Sequence, residues 1–193
     1  MARSRRTLAL TTLLALVVAL ATAGCSSGLK TGNNNFVLGD GVITVLDGAK
    51  RVAPGPVSGT TLDGAKVTLS QYAGKVVVIN VWGSWCAPCR SEAANLAKAA
   101  GELMPKGVVF LGINTRDTSA DNARAFERTH AMPYPSIYDP GGESLLAFHH
   151  TLRPNAIPST VVIDKDGRVA ASIIGAVTTA QTLVDVVGEV EGK

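Results

Sequence analysis

The sequence predicts a mixed α/β domain, a central sheet with helices on both faces. Three observations carry this. From Lys75 onward, β-branched runs alternate with Ala/Leu-rich helical patterns. The runs Lys75–Val81, Val108–Ile113 and Ser159–Ile163 are nearly unbroken apolar stretches, as strands buried on both faces are. The run Ser159–Ile163 is joined to a further strand run, Arg168–Ile174, by Asp164-Lys165-Asp166-Gly167, a turn sequence that makes a hairpin. Strand–helix–strand–helix–hairpin–helix closes into a mixed sheet.

The chain opens with Arg3, Arg5 and Arg6, then a run from Leu8 to Ala23 that is apolar apart from threonines, then Gly24-Cys25. That run is short for a membrane span, which takes about 20 residues. The Ala23-Gly24-Cys25 end, followed by Ser26-Ser27-Gly28, resembles a bacterial lipoprotein signal, in which Cys25 is lipidated and becomes the mature N-terminus. Thr22 departs from the aliphatic residue usual in that motif. A soluble secreted protein cut nearby and an uncleaved N-terminal anchor are the other readings, and all three place the domain outside the cytoplasm. The three arginines account for the whole formal charge of +3, since the rest of the chain has 15 basic and 15 acidic side chains. A neutral mature protein carries no electrostatic footprint for nucleic acid, and a hydrophobic content of 46% excludes general disorder.

Ser26 to about Asn35 is rich in Gly, Ser, Asn and Thr and reads as a flexible tether. Val42–Leu46 suits a short strand, and Pro54-Gly55-Pro56 marks the entry to the domain. The expected division is a signal over residues 1–24, tether and lead-in over 25–54, and the folded domain over 55–193. Leu62–Leu69 forms a hairpin pattern with Asp63-Gly64 in its turn. A helix follows from Cys86 to about Leu103, with Ala93, Leu96, Ala97 and Ala100 on one face. Further elements are a helix near Ala120–His130, a short strand at Pro135–Tyr138, a short helix at Glu143–His149 and a strand at Arg168–Ile174. Thr178 and Gln181 are spaced as a capping box for the last helix, whose buried face is Leu183, Val186, Val187 and Val190.

Chemistry concentrates where the first long strand run breaks at Gly83-Ser84 and two cysteines, Cys86 and Cys89, open a helix. Unpaired N–H groups and a partial positive charge there stabilise a thiolate. A second thiol one turn later resolves the mixed disulfide. Pro88 fits the first turn because its missing N–H costs nothing there. Two other readings compete. A zinc half-site needs two more ligands, and His130, His149 and His150 lack a paired spacing. A structural disulfide around two residues closes little chain entropy. Lipidation of Cys25 would leave no odd thiol in an oxidising compartment. The Asp164–Gly167 segment lacks the further ligands of a calcium loop.

Trp82-Gly83-Ser84-Trp85-Cys86-Ala87-Pro88-Cys89 resembles the active-site segment of thioredoxin-fold proteins, and Ala156-Ile157-Pro158-Ser159-Thr160 resembles their cis-proline loop. The export signal, the extra sequence between the second strand and the proline loop, and Cys89-Arg90-Ser91-Glu92 resemble the membrane-anchored TlpA/ResA-like branch. The resemblance covers roughly residues 55–190. It implies a thioredoxin fold with an N-terminal β-hairpin and a central insertion. It implies Cys86 as an exposed attacking thiolate, Cys89 as the resolving thiol, and Trp85, Ile157 and Pro158 beside the substrate. One of Trp82 and Trp85 belongs to the core. Asn80 stands where thioredoxin carries a buried aspartate and cannot take up a proton, so either a water relay or another carboxylate does that work. Glu92, on the same helical face as Cys89, is expected to tune thiol pKa and shuttle that proton, the other reading being a first-turn acid that complements the helix dipole. No dissociable cofactor and no metal are called for.

The expected activity is thiol–disulfide exchange with protein dithiols, as a monomer tethered by lipid to the extracytoplasmic face of the cell membrane. The resemblance implies electrons from a membrane thiol reductase of the CcdA/DsbD kind and a reductase role in cytochrome c maturation, with apocytochrome c as client. The alternatives are a peroxiredoxin-like thiol peroxidase, against which Gly83 replaces the peroxide-binding threonine, and a metal-binding chaperone using the Cys86/Cys89 pair.

Overall fold

The computed structural model describes residues 35–38, 41–153 and 155–192. The signal, Cys25 and the tether up to residue 34 lie outside the described residues. Among the described residues the elements run in order β1 (Asn35–Leu38), β2 (Gly41–Val45), β3 (Ser58–Thr60), β4 (Lys66–Thr68) and β5 (Val77–Trp82). Then come α1 (Ala87–Leu103), β6 (Val109–Thr115), α2 (Ala120–Thr129) and β7 (Ser136–Asp139), followed by β8 (Ser159–Ile163), β9 (Val169–Ile174) and α3 (Ala180–Glu191). Among the described residues, seven strands form one sheet in the order β1-β2-β9-β8-β5-β6-β7, with β3 and β4 as a separate hairpin. The sheet is mixed: β5 is parallel to β6 and antiparallel to β8, and β6 is parallel to β7.

Period-2 alternation assigns the two faces of β5. Val76 and Val78 pack with Leu96 and Ala100 of α1 and with Leu183 and Val187 of α3. Val77, Ile79 and Val81 face the other way, onto Val57 and Val67 of the hairpin region and onto Phe148. The sheet is thus flanked by α-helices on one face and by the hairpin and 3-10 turns, including Glu143–Phe148, on the other. Every residue of β5 is buried, which is why that run carries no polar alternation. Among the described residues, no helix is long and apolar enough to cross a membrane.

Three expectations need correction. The sheet starts well before residue 55: β2 pairs antiparallel with β9, Ile43 is in the core, and Arg51 donates to Asp164 at 3.2 Å with both side chains buried. Without β2 the β9 edge would present unpaired backbone groups. In α1, Glu92 and Ala99 are buried while Ala97 is only half-buried, so the inner face is rotated towards Cys89 and Glu92. The short helix expected at Glu143–His149 is present, as a 3-10 helix over Glu143–Phe148 entered from left-handed Gly142 and capped by the Asp139 carboxylate on the Glu143 and Ser144 N–H groups. The N-cap of α3 is Thr179, whose hydroxyl accepts from Thr182 N at 3.1 Å, one residue beyond Thr178.

Candidate active site

Strand β5, interior to the sheet, ends at Trp82, and Gly83-Ser84-Trp85 turns the chain into α1. Cys86 is the N-cap, and its Sγ accepts the Cys89 N–H at 3.2 Å. Pro88 lies in the first turn, where an α-helix has N–H groups to spare. Cys86 and Cys89 form a disulfide. Both are almost fully buried, at 3% and 1% exposure, which corrects the exposed position expected for Cys86. They share a cluster with Leu62, Trp82, Ala93 and Phe126, against which Ile157 packs.

One turn beyond Cys89, Glu92 is buried at 1% exposure. Its Oε2 accepts the Val177 N–H at 2.8 Å and its Oε1 accepts from Asn80 Nδ2 at 3.0 Å. Burial pushes the carboxyl up from 4.5 to about 7, and the bonds from Val177 and Asn80 offset this only in part. Asn80, on β5, also donates towards Ser159 O and Thr160 Oγ1 of β8, while its own Oδ1 has no partner among the described residues. Asn80 and Glu92 are thus one hydrogen-bonded unit. Burial first, and then the charges of Glu92 and Glu127, drive the Tyr134 phenol well above its ordinary value.

The Ile157-Pro158 peptide is cis. Pro158 is buried and its carbonyl accepts from Gly175 N at 3.0 Å, while Ile157 is half-buried beside the cysteine cluster. The tryptophans divide their tasks. Trp82 is core: its ring stacks on Phe126 with centroids 4.5 Å apart, and its Nε1 donates to Ser136 Oγ at 3.1 Å. Trp85 is 50% exposed, beside the disulfide, with Nε1 donating to Thr115 O at 3.3 Å.

The loop after β6, by sequence a polar connector with Asp117, Thr118 and Ser119, also reaches the site. Asp117 is buried and accepts from Ser84 N at 2.9 Å, from the Ser84 hydroxyl, and from Asn114 Nδ2 at 2.6 Å. Arg90 closes the opposite side by donating to Ser84 O at 2.6 Å. A signal for this loop was available: a polar Asn-Thr-Arg-Asp stretch directly follows a buried strand, and sites in open α/β sheets gather outside the carboxyl ends of parallel strands.

His130 lies against Phe126, whereas the exposed His149 and His150 lie ring to ring. No group of three His, Cys, Asp or Glu among the described residues is placed to hold a metal. A cavity of about 430 Å³, lined by residues such as Pro54, Val57, Leu69, Tyr72 and Ile163, opens at the other end of β5. It contains no thiol, so the chemistry belongs to the cysteine end.

Comparison with known proteins agrees with this geometry. The Redoxin family model matches residues 48–187. The thiol-disulfide oxidoreductase ResA of Bacillus thuringiensis subsp. konkukian is 31% identical over 122 residues, 63% of this chain and 68% of that protein. Among solved structures, a DsbF homologue from Corynebacterium diphtheriae superposes with a TM-score of 0.71 at 34% identity, covering 86% of this chain and 96% of that one. A secreted thiol-disulfide isomerase from Corynebacterium glutamicum gives 0.73 at 35% identity, covering 78% and 92%.

Proposed function

Because the chain belongs to the Redoxin family, as a thiol–disulfide oxidoreductase of the ResA type, we propose that it acts outside the cytoplasm as a protein-disulfide reductase serving cytochrome c maturation. The observation that carries the reading is the Cys86–Cys89 pair on the first turn of α1, with the buried Glu92 one turn further on.

In the reduced protein the Cys86 thiolate sits where the helix N-terminus and the Cys89 N–H stabilise it. It attacks one sulfur of a substrate disulfide, and the other sulfur leaves as a thiolate that takes up a proton. Cys89 gives its proton to Glu92 and attacks Cys86 Sγ, releasing the second substrate thiolate and leaving the Cys86–Cys89 disulfide. Two electrons have then passed to the substrate. A carboxyl with a pKa of about 7 can accept that proton and return it near neutrality. Trp85 and Ile157-Pro158 flank the pair and contact the substrate segment, with Ile157 offering backbone for strand addition.

The redox-active disulfide is the whole redox centre, with no dissociable cofactor. The leader over residues 1–24 and Cys25 support a lipid anchor on the extracytoplasmic face. A membrane thiol reductase of the CcdA/DsbD kind would return electrons to Cys86–Cys89, and the haem-attachment cysteines of apocytochrome c would receive them.

The Cys89→Ser variant tests the reading, because it stops the reaction at the mixed disulfide. Incubated with an oxidised peptide carrying a haem-attachment Cys-x-x-Cys-His segment, it is expected to accumulate a dithiothreitol-reversible adduct on Cys86. The Cys86→Ser variant forms none. Trapping of insulin but not of this peptide removes the cytochrome assignment, and trapping of neither removes the reductase reading.

A further inference from the structure

The connector from Asn114 to Asp117 touches both sides of the cysteine pair through three different groups. Asp117 grips the Ser84 N–H and hydroxyl. The Thr115 carbonyl holds the Trp85 indole. Arg116 reaches the other way and donates from Nη2 to Asn155 Oδ1 at 2.8 Å, two residues before Ile157. Arg116 has φ of 57°, in the left-handed region that is costly for a residue with a Cβ. That reversal lets Thr115 and Asp117 both serve the Ser84-Trp85 side while Arg116 serves the proline loop. Gly83 completes the arrangement, since a Cβ there would lie 2.5 Å from Trp85 Nε1 and 3.1 Å from the Thr115 carbonyl oxygen.

We propose that Arg116 and Asp117 are positioning residues that set substrate specificity, by fixing the separation between two walls beside Cys86, Trp85 on one side and Ile157-Pro158 on the other. Asp117 fixes the first wall and Arg116 the second, and the short Asn114–Asp117 connector makes their distance a property of one rigid turn. The substrate class is an extended polypeptide carrying a disulfide, held on both sides. The proposal rests on the thiol-exchange reading of the site.

The experiment is steady-state reduction of insulin with dithiothreitol as electron donor, on the full chain. Asp117→Ala leaves Ser84 N–H and the Asn114 amide without their acceptor, and is expected to raise KM for insulin about tenfold while kcat falls by no more than about threefold. Arg116→Ala raises KM about threefold. Asp117→Asn restores KM to within about twofold of the parent, because its amide oxygen can accept the Ser84 N–H and the Ser84 hydroxyl can accept from its NH2. An unchanged KM in Asp117→Ala and Arg116→Ala overturns the proposal. So does a fall in kcat that merely tracks the folded fraction, or an Asp117→Asn variant as impaired as Asp117→Ala. Failure of the unsubstituted protein to reduce insulin would instead overturn the thiol-exchange reading beneath it.

Discussion

At the scale of single residues, the sharpest feature is the Asn80–Glu92 pair. The place of Glu92, three residues after Cys89, was legible from helical spacing. Its bond to Asn80 was not, because the two are 12 residues apart on different elements and meet only when α1 folds back on β5. Burial keeps Glu92 protonated longer in the folded protein than in the unfolded chain, so folding takes up a proton between the two pKa values. The associated stability is fully present below about pH 4.5 and is lost as pH rises through about 7. The shift corresponds to about 3 kcal/mol. Urea unfolding of the oxidised protein, in which neither cysteine titrates, should show that loss between pH 5 and pH 8, and Glu92→Gln should flatten it. The neutral amide of that variant can be accommodated, because Asn80 Oδ1, without a partner among the described residues, becomes an acceptor once the Asn80 amide turns over. An identical pH slope in both proteins would remove Glu92 as the titrating group. Asp117, by contrast, gave no spacing signal of its own. Apart from the neighbouring Asn114, its partner lies 33 residues back at Ser84, and only the packing of β6 beside β5 brings the two together.

At the scale of elements, the strands were readable wherever both faces are buried, because an unbroken β-branched run admits little else. Helix registers were less so. The inner face of α1 includes a carboxylate, Glu92, and a pattern built on apolar residues excludes such a position. The start of α3 shows the same limit at a cap. Thr178 and Thr179 are adjacent, and either can be drawn as the capping residue from sequence spacing. The folded chain uses Thr179, since its hydroxyl reaches Thr182 N while Thr178 contributes its carbonyl to Asn95 Nδ2 at 2.9 Å. Thr179→Ala should therefore lower the unfolding free energy by about 1 kcal/mol, whereas Thr178→Ala, which keeps its carbonyl, should stay within about 0.5 kcal/mol. Chemical denaturation of the two single variants decides between the caps. Equal losses would mean that the helix frays to either residue.

At the scale of the whole molecule, the mixed sheet was legible from element order, but its left-hand edge was not. A run of five residues at Val42–Leu46, followed by Gly48, Pro54 and Pro56, reads locally as an approach to the domain. It joins the sheet because β9, after pairing β8 on one side, has its other edge free for β2. The attachment is reinforced by charge. Arg51 is buried and donates from Nη1 to Asp164 Oδ2 and from Nε to Leu46 O. Asp164 also organises the β8–β9 turn through the N–H groups of Asp166 and Arg168. One carboxylate thereby ties the early strand to the hairpin that leads into the last helix. Arg168 also approaches Asp164, at 3.3 Å, so removing Arg51 does not leave the acid wholly unpaired, and the cost should sit at the low end of the range for a broken buried pair. Arg51→Ala is expected to lower the unfolding free energy by about 3 kcal/mol. Unfolding should remain a single transition with an unchanged denaturant slope, because β2 and β9 belong to the same cooperative unit. A loss below about 1 kcal/mol, or a separate early transition, would show residues 41–54 to be an appendage, and the domain would then begin near residue 55.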